Sequence, residues 1–246
     1  MREFIINSSA IEIMSTGLVF FLLVYFALGT VSWFLASRLF PRLGIGRKLD
    51  HRPLAKGQLK REILLSLASI FIFGAGLIFP WGLLKLGWAQ LAVDPSLLQI
   101  LLEILLLVFW NEIHFYINHR LLHTTLLRRF HAHHHRSIVT TQWTAYSFHP
   151  VETMMLGSVL LLPMLVHDFS VYALVFVPMF SLLINSMGHV NYDFYPRSQL
   201  ALFSGVRRHQ LHHASYNGNY GFLFPFMDLI CGTALPRDAV DRQVQS

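Results

Sequence analysis

Charged residues are scarce in this chain. Of its 246 residues, 13% are Asp, Glu, Lys or Arg, whereas 54% are hydrophobic and 14% aromatic. An average soluble domain carries roughly 25% charged residues, so neither a water-soluble globule nor a disordered chain is compatible with this composition. The shortage of charge therefore predicts a membrane protein.

Cysteine and several catalytic motifs are missing as well. Cys231 is the single cysteine, which excludes an internal disulfide framework and cysteine-based zinc clusters. The sequence has no His-Glu-x-x-His zincin motif, no Glu-x-x-His pair of the carboxylate-bridged di-iron type, and no Walker or dinucleotide-binding glycine loop. Any electrons or nucleotides that the protein uses must therefore come from elsewhere.

Long uncharged runs are present instead. Residues 13–37 and residues 63–84 contain no charged side chain, and about 20 apolar residues of helix cross a bilayer. A third apolar helix is expected to begin near Leu97, with Glu103 and Glu112 facing protein or the interface because a lipid-facing charge is costly. The first run is longer than the apolar region of a signal peptide, and we expect it to be a retained anchor.

The last two apolar stretches, residues 153–166 and 169–187, are separated by His167 and Asp168. The first of them would reach only about 21 Å as a helix, which is too short to span a bilayer upright. We therefore expect a tight hairpin with the His–Asp pair at its tip. The predicted fold class is an all-α integral membrane protein with about four transmembrane helices.

The basic residues are unevenly distributed. Residues 38–61, 118–152 and 188–246 carry 17 of the 19 Lys and Arg residues, and the expected spans place these segments on one side of the membrane. By the positive-inside rule that side is cytoplasmic, in either a bacterial inner membrane or the endoplasmic reticulum. The net charge of +6 then reflects topology and anionic lipids, and no nucleic-acid partner is needed to explain it.

Histidine is abundant, with 14 residues, and most of them lie in the two later basic segments. Nine form four groups, and in three of these groups the i, i+3 or i+4 spacing places imidazoles on one helical face. Each His-x-x-His-His triplet could hold one side of a metal site. The groups are His119 and His123; His131, His134 and His135; His189 alone; and His209, His212 and His213.

The other histidines have simpler explanations. His51, His114 and His167 are expected to be polar tips at an interface, and His133 lies off the face that its neighbours share. His149 is open between a structural hydrogen bond and a role beside a metal. Because neutral imidazole binds iron, zinc and copper, and nine rings exceed what one ion can bind, the sequence predicts two metal ions. A non-redox membrane metal protein, either a zinc-dependent lipid hydrolase or a metal transporter, remains an alternative to an oxidase.

The order of these motifs resembles the fatty acid hydroxylase superfamily, which includes the sterol desaturases. The shared pattern is His-x3-His, His-x-x-His-His, a lone His and a second His-x-x-His-His, and it covers roughly residues 100–235. The first 95 residues resemble the family only as a generic membrane anchor. Smaller matches are His149-Pro150-Val151-Glu152, Gly188-His189, Asn219-Tyr220-Gly221, and Asp228 with Gly232-Thr233.

The resemblance implies a four-helix membrane stem with a cytosolic helical cap that holds a histidine-ligated di-iron centre. It implies an enzyme that uses two iron ions and O2 to hydroxylate or desaturate a C–H bond of a lipid, such as a sterol or a fatty acyl chain. Electrons would come from an external reductase or a small carrier, a b-type cytochrome or a ferredoxin. The implied catalytic residues and iron ligands are His119, His123, His131, His134, His135, His189, His209, His212 and His213.

Domain boundaries and supporting residues follow from the same resemblance. Residues 1–95 would be membrane anchor helices, residues 96–238 the catalytic domain and residues 239–246 a polar tail. Asn185 stands where some members have a histidine, and would hold a metal through water or only make a hydrogen bond. Further residues expected beside the ligands, the acidic ones to orient imidazole N–H groups, are His149, Glu152, Asp193 and Asp228.

Overall fold

The structure is a computed structural model, and it describes residues 1–196, 198, 200–236 and 239. Four of its helical segments are long and apolar enough to cross a membrane, which confirms the predicted number of spans. These segments are Ala10–Arg42, Gln58–Lys85, Leu97–Leu122 and Val171–His189.

The first span begins with a capping box. The Ser9 side chain accepts a hydrogen bond from the Glu12 backbone, and the Glu12 carboxylate accepts one from the Ser9 backbone, so two N–H groups at the helix start are satisfied. The pieces of this region are α1 (Arg2–Asn7), α2 (Ala10–Phe34), a π-helical turn (Leu35–Leu39) and α3 (Phe40–Arg42).

Next along the chain are α4 (Gln58–Gly76), α5 (Ile78–Lys85) and α6 (Leu97–Leu122). The helices α2 and α4 approach each other closely at Gly74, where a Cβ would lie only 2.8 Å from the Cα atom of Leu18. A larger residue at this crossing would push the two spans apart, so the glycine sets their distance.

The chain turns back after α6 into α7 (Arg128–His135) and then into a loop that ends in a 3-10 turn at Thr144–Tyr146. α6 continues without a break into the first histidine motif, so that His119 lies in its last turn and His123 is its C-cap. These parts begin the cap that covers one end of the spans.

The predicted hairpin follows. Its first arm consists of α8 (Pro150–Gly157), a 3-10 turn (Ser158–Leu160) and α9 (Leu161–Val166), and its second arm is α10 (Val171–His189). His167 and Asp168 lie at the turn, as expected. Glu103 of α6 holds this turn, because its carboxylate accepts hydrogen bonds from His167 Nε2 at 3.2 Å and from the Ser170 N–H at 2.7 Å.

A two-stranded ladder closes the cap. β1 (Arg47–Lys48) pairs antiparallel with β2 (Tyr192–Asp193), with Arg47 opposite Asp193. Gly46 precedes β1 with a φ of +74°, a conformation that favours glycine. The ladder confirms that two of the basic segments meet at one end of the molecule. The cap is completed by α11 (Ala201–Ser215) and α12 (Phe226–Ile230).

The spans expose apolar side chains and bury polar ones. Leu105 of α6 is 66% exposed and Phe71 of α4 is 64% exposed, whereas Glu62, Glu103 and Glu112 on the same helices are buried. This inverted pattern fits a lipid surrounding, and the chain is a multi-pass membrane protein. The domain boundaries stay a prediction, and of the expected tail only Ala239 lies within the described residues.

Candidate metal centre

The nine predicted ligands lie together in the cap, where they form two groups. Within each group the nitrogen atoms that could bind a metal all lie within 4.8 Å of one another. The five-histidine group contains His119, His123, His131, His135 and His212, and the four-histidine group contains His134, His189, His209 and His213.

Each His-x-x-His-His triplet contributes to both groups. On α7, His131 and His135 belong to the five-histidine group, but His134 belongs to the other. On α11, His209 and His213 belong to the four-histidine group, but His212 does not. The expectation that one triplet forms one side of a single site is therefore corrected. The i and i+4 rings share a face, while the remaining ring diverges enough to reach the neighbouring group.

The five-histidine group is assembled at the end of α6. His119 Nε2 lies 3.1 Å from His131 Nε2, which lies 3.0 Å from His135 Nε2. His212 Nε2 extends the series, 3.0 Å from His135 Nε2. The ring of His123 packs 4.8 Å from that of His131 and 4.8 Å from that of His212, measured between centroids.

The four-histidine group is assembled where α10 ends. His189 Nε2 lies 2.8 Å from His209 Nε2 and 3.2 Å from His134 Nε2. The ring of His213 completes the group, with its centroid 4.6 Å from that of His134.

Hydrogen bonds at Nδ1 set the orientation of five rings. A carbonyl oxygen can only accept, so a ring bonded to one through Nδ1 must carry its proton there, which leaves the Nε2 lone pair free. The acceptors are the carbonyl oxygens of Tyr220 for His119, Gly218 for His212, Asn185 for His189 and Ser137 for His213, and the Glu152 carboxylate for His131.

Burial keeps these rings neutral. It lowers the pKa of His123 to about 4, and together with the neighbouring His123 it lowers the pKa of His212 to about 3. Neutral imidazole is the form that binds metal. Burial and the surrounding imidazoles also hold the pKa well below its ordinary value at His131, His134, His135, His209 and His213.

The arrangement fits a metal ion in each group. The Nε2 atoms of His119 and His131 lie 3.1 Å apart although both rings hold their proton at Nδ1. Two lone pairs therefore face each other, and a cation between them would remove that repulsion. Among the described residues, His123 Nε2 and His213 Nε2 are buried with no hydrogen-bond partner, which is costly unless something binds there. Neutral nitrogen donors suit iron, zinc and copper.

Glu152 has the contact predicted for it. Its carboxylate is buried and accepts the His131 Nδ1 proton at 2.8 Å, which fixes the ring and directs Nε2 into the five-histidine group. His149 caps the start of α8 instead, since its Nδ1 accepts a hydrogen bond from the Val151 N–H at 3.2 Å. Of the two readings open for His149, the structure therefore supports the structural hydrogen bond.

The two aspartates predicted to orient imidazoles contact other groups. Asp193 accepts a hydrogen bond from Arg207 at 3.2 Å and lies 3.8 Å from Arg47, because the ladder places it beside arginines. Asp228 accepts hydrogen bonds from the Tyr220 and Gly221 N–H groups, both at 2.8 Å. The prediction was wrong for Asp193. Asp228 supports His119 only indirectly, through the Tyr220 carbonyl.

Asn185 is tied to the protein on both sides. Its side-chain amide donates to the Ala145 carbonyl at 2.5 Å, and its own carbonyl accepts the His189 Nδ1 proton at 2.8 Å. The structure therefore shows hydrogen bonds for Asn185, and its holding a metal through water stays a prediction. His51, His114, His133 and His167 lie outside both groups, as predicted.

One buried acid in the cap was not anticipated. Glu62, in the first turns of α4, accepts hydrogen bonds from four side chains. A sequence pattern could have indicated it, because polar residues recur along one face of this apolar helix and are all buried. They are Gln58, Glu62, Ser66 and Ser69.

A small cavity lies between the two histidine groups. Its volume is about 10 Å³, roughly that needed by one water-sized molecule. Histidines of both groups face it, and Phe115, Phe148 and Leu156 provide apolar walls. A small molecule or the end of an apolar chain in this cavity would contact both groups at once.

Comparison with known proteins agrees with this geometry. A family model described as fatty acid hydroxylase matches residues 104–233, more than half of the chain. The chain belongs to the fatty acid hydroxylase family. The match begins inside α6 and ends just after α12, so the family region includes all nine clustered histidines. No solved structure gives a significant match.

The fatty acid hydroxylase family member described here has relatives with different named reactions. It is 27% identical to Protein CER1-like 1 of Arabidopsis thaliana, over 82% of this chain and 33% of that protein. It is 28% identical to a Delta(7)-sterol 5(6)-desaturase of Candida glabrata, over 75% and 51% respectively. It is also 28% identical to the very-long-chain aldehyde decarbonylase CER1 of Arabidopsis thaliana, over 49% and 21%. The chain thus spans about half or less of the length of these relatives.

Proposed function

We propose that this protein is a membrane-bound di-iron oxidoreductase that hydroxylates or desaturates a C–H bond of a lipid, with O2 as co-substrate. The observation that carries the proposal is the pair of buried histidine groups at the end of four apolar spans. The named reactions of the relatives, on sterols and very-long-chain aldehydes, support a lipid substrate.

In this proposal the five-histidine group holds one iron and the four-histidine group holds the other. When bound, the two irons supply the activation of O2 and the oxidising power needed to remove hydrogen from an unactivated carbon. The protein fixes five of the nine imidazoles through Nδ1 hydrogen bonds, so that their donor atoms are in place before the metals arrive.

The walls of the cavity exclude water from the reacting atoms. Phe115 packs against His119, with ring centroids 5.1 Å apart, and against Phe222 at 4.9 Å. Phe148 packs against His134 at 5.0 Å. A lipid chain that reaches the cavity from the apolar spans would meet carbon surfaces, which favour an apolar group over water.

The side of the membrane with the basic segments is proposed to be cytoplasmic. The electrons are proposed to come from an external reductase or a small carrier.

The alternative of a non-redox metal protein uses the same nitrogen donors. A transporter is less well supported, because Glu112, a candidate for an ion path through the membrane, is engaged by the Leu223 and Phe224 N–H groups at 3.0 and 2.9 Å. A zinc-dependent lipid hydrolase is distinguished from the oxidase by the metal that the protein binds and by its effect on lipids.

The test is to purify the full chain anaerobically in detergent and to measure metals per polypeptide. We expect about two irons per chain, together with an O2-dependent change in the lipid extract of expressing cells relative to cells without the protein. One zinc and no iron, with unchanged lipids, would contradict the oxidase and favour the hydrolase. His133→Ala is the matched control for a ligand variant such as His134→Ala, because His133 lies on α7 among the ligands but outside both groups.

A further inference from the structure

Glu62 is fully buried at the start of α4 and is the centre of a hydrogen-bond network. Its Oε1 accepts from Gln58 Nε2 at 2.8 Å, from Ser137 Oγ at 2.7 Å and from Thr144 Oγ1 at 2.9 Å. Its Oε2 accepts from Thr141 Oγ1 at 2.6 Å. Three of the four donors belong to the loop between α7 and α8, so one carboxylate holds this loop against the second span.

The same loop supports the four-histidine group. The Ser137 carbonyl accepts the His213 Nδ1 proton at 3.1 Å, and the Ser137 N–H donates to the His134 carbonyl at 3.1 Å. Ser137 is therefore bonded on one side to Glu62 and on the other to two members of one group. A shift of Ser137 would release the ring of His213 and break the bond to the His134 carbonyl.

The five-histidine group does not depend on this loop in the same way. Three of its five rings are oriented from elsewhere, His119 by the Tyr220 carbonyl, His212 by the Gly218 carbonyl and His131 by Glu152. None of these acceptors belongs to residues 137–144. Loss of the Glu62 network should therefore affect the two groups unequally.

The loop has a second attachment that keeps it folded. Gln210 of α11 accepts from Thr140 Oγ1 at 2.6 Å and donates to the Ile138 carbonyl at 2.9 Å. A change at Glu62 would thus loosen one side of the loop while the Gln210 side remains attached.

We infer that Glu62 is a positioning residue for the second metal: through Ser137 it sets the geometry of the four-histidine group and leaves the five-histidine group unaffected. This inference rests on the proposed function only in requiring that both groups bind metal. Glu62 itself is not proposed as a ligand, because both of its carboxylate oxygens already accept hydrogen bonds from side chains of α4 and of the loop.

The experiment titrates the metal-free full chain in detergent with Fe(II) under anaerobic conditions, for the wild type, Glu62→Ala and Glu62→Gln. We expect Glu62→Ala to bind one equivalent as the wild type does and the second about 10- to 100-fold more weakly, the range found when groups that orient metal ligands are removed. Glu62→Gln keeps the shape and one acceptor oxygen, and should recover most of the second equivalent.

Two further variants locate the effect. His209→Ala removes a member of the four-histidine group, so Glu62→Ala combined with it should lose no more iron than His209→Ala alone. Glu103→Ala is the matched control, because Glu103 is also a buried carboxylate with several donors but holds the opposite end of the spans. It should bind both equivalents with wild-type affinity.

The outcomes separate this inference from the proposed function. If the wild type binds two equivalents and both Glu62 variants bind them with unchanged affinity, the positioning role is wrong. It is also wrong if both equivalents weaken together, because Glu62 would then support only the fold. If Glu62→Ala does not fold, Ser137→Ala, which removes the hydrogen bond between Ser137 and Glu62, is compared with the wild type by the same criteria. A wild type that binds fewer than two equivalents would instead contradict the proposed function.

Discussion

The two histidine groups differ in their exposure to solvent. The four-histidine group is dry: none of its members is more than 3% exposed. In the five-histidine group His123 is only half-buried, and the ring of Tyr216 packs over His123 and His135 at 4.8 and 4.5 Å between centroids. One metal position is therefore close to the surface, and the other lies deep in the cap.

The groups also differ in what orients them. In the five-histidine group one ring, His131, is held by the buried side chain of Glu152, and two others are held by backbone carbonyls. In the four-histidine group His189 and His213 are held by backbone carbonyls. Substitution can remove a carboxylate directly, but it reaches a carbonyl only by moving the chain that carries it. The two positions should therefore respond to different substitutions.

The largest effect on metal binding is expected when a ligand of the four-histidine group is removed. His134→Ala should lose about one iron per chain and weaken binding at that position by more than about 100-fold, since loss of merely orienting groups already costs 10- to 100-fold. Metal analysis and lipid turnover measure this. His133→Ala, one residue away, should leave both unchanged, and equal losses in the two variants would argue against the division into groups.

A smaller and opposite effect is expected at Glu152. Glu152→Ala removes the carboxyl group that accepts the His131 Nδ1 proton, so binding in the five-histidine group should weaken by about 10-fold or more while the four-histidine group keeps its metal. Anaerobic Fe(II) titration checks this. Added to Glu62→Ala, the substitution should lower the affinity of both positions, and a double variant that keeps either one intact would show that the two supports do not act on separate groups.

The difference in burial predicts two rates of metal removal. A water-soluble chelator should extract iron in two phases of about equal amplitude, with the faster phase from the five-histidine group, because extraction from a buried site requires local opening of the cap. Tyr216→Ala should speed the first phase and leave the second unchanged. If the chelator extracted all the iron in a single phase, the two groups would not differ in their access to solvent.

The smallest effect is expected at His149, which packs against Phe130 and His133 and caps a helix. His149→Ala should lower the unfolding free energy by about 1 kcal/mol, as is typical for loss of an N-cap, and should shift the thermal midpoint slightly. The iron content should remain that of the wild type. A loss of iron would show that His149 contributes to the metal centre after all.

Features that depend on local spacing could be predicted from the sequence. The uncharged runs at residues 13–37 and 63–84 lie within the first two spans, and His167 with Asp168 forms the turn of the hairpin. The nine clustered histidines could also be selected, because their spacing is helical and the lone His189 belongs to the family pattern. The spans and the histidine motifs can be predicted because each depends only on residue type and on spacing along the chain.

Features that depend on how elements pack could not be predicted. The separation of His134 from His131 and His135 arises because α7 lies between α10 and the end of α6, which no spacing reveals. Asp193 was assigned to the wrong partner because its neighbours, Arg47 and Arg207, are brought to it by the ladder and by α11. The polar face of α4 could have indicated that Glu62 is buried, but its contacts could not be predicted, because three of its donors follow it by some 80 residues in the sequence.

The ladder between β1 and β2 has a consequence for how the protein is made. β1 is synthesised after only one span, and β2 follows the last of the four. Until then β1 has no partner strand and must wait while three spans enter the bilayer, which makes its closure one of the most non-local events in folding. α11, which supplies ligands to both groups, is synthesised later still. A chain in which one span failed to insert would therefore not bring the nine imidazoles together.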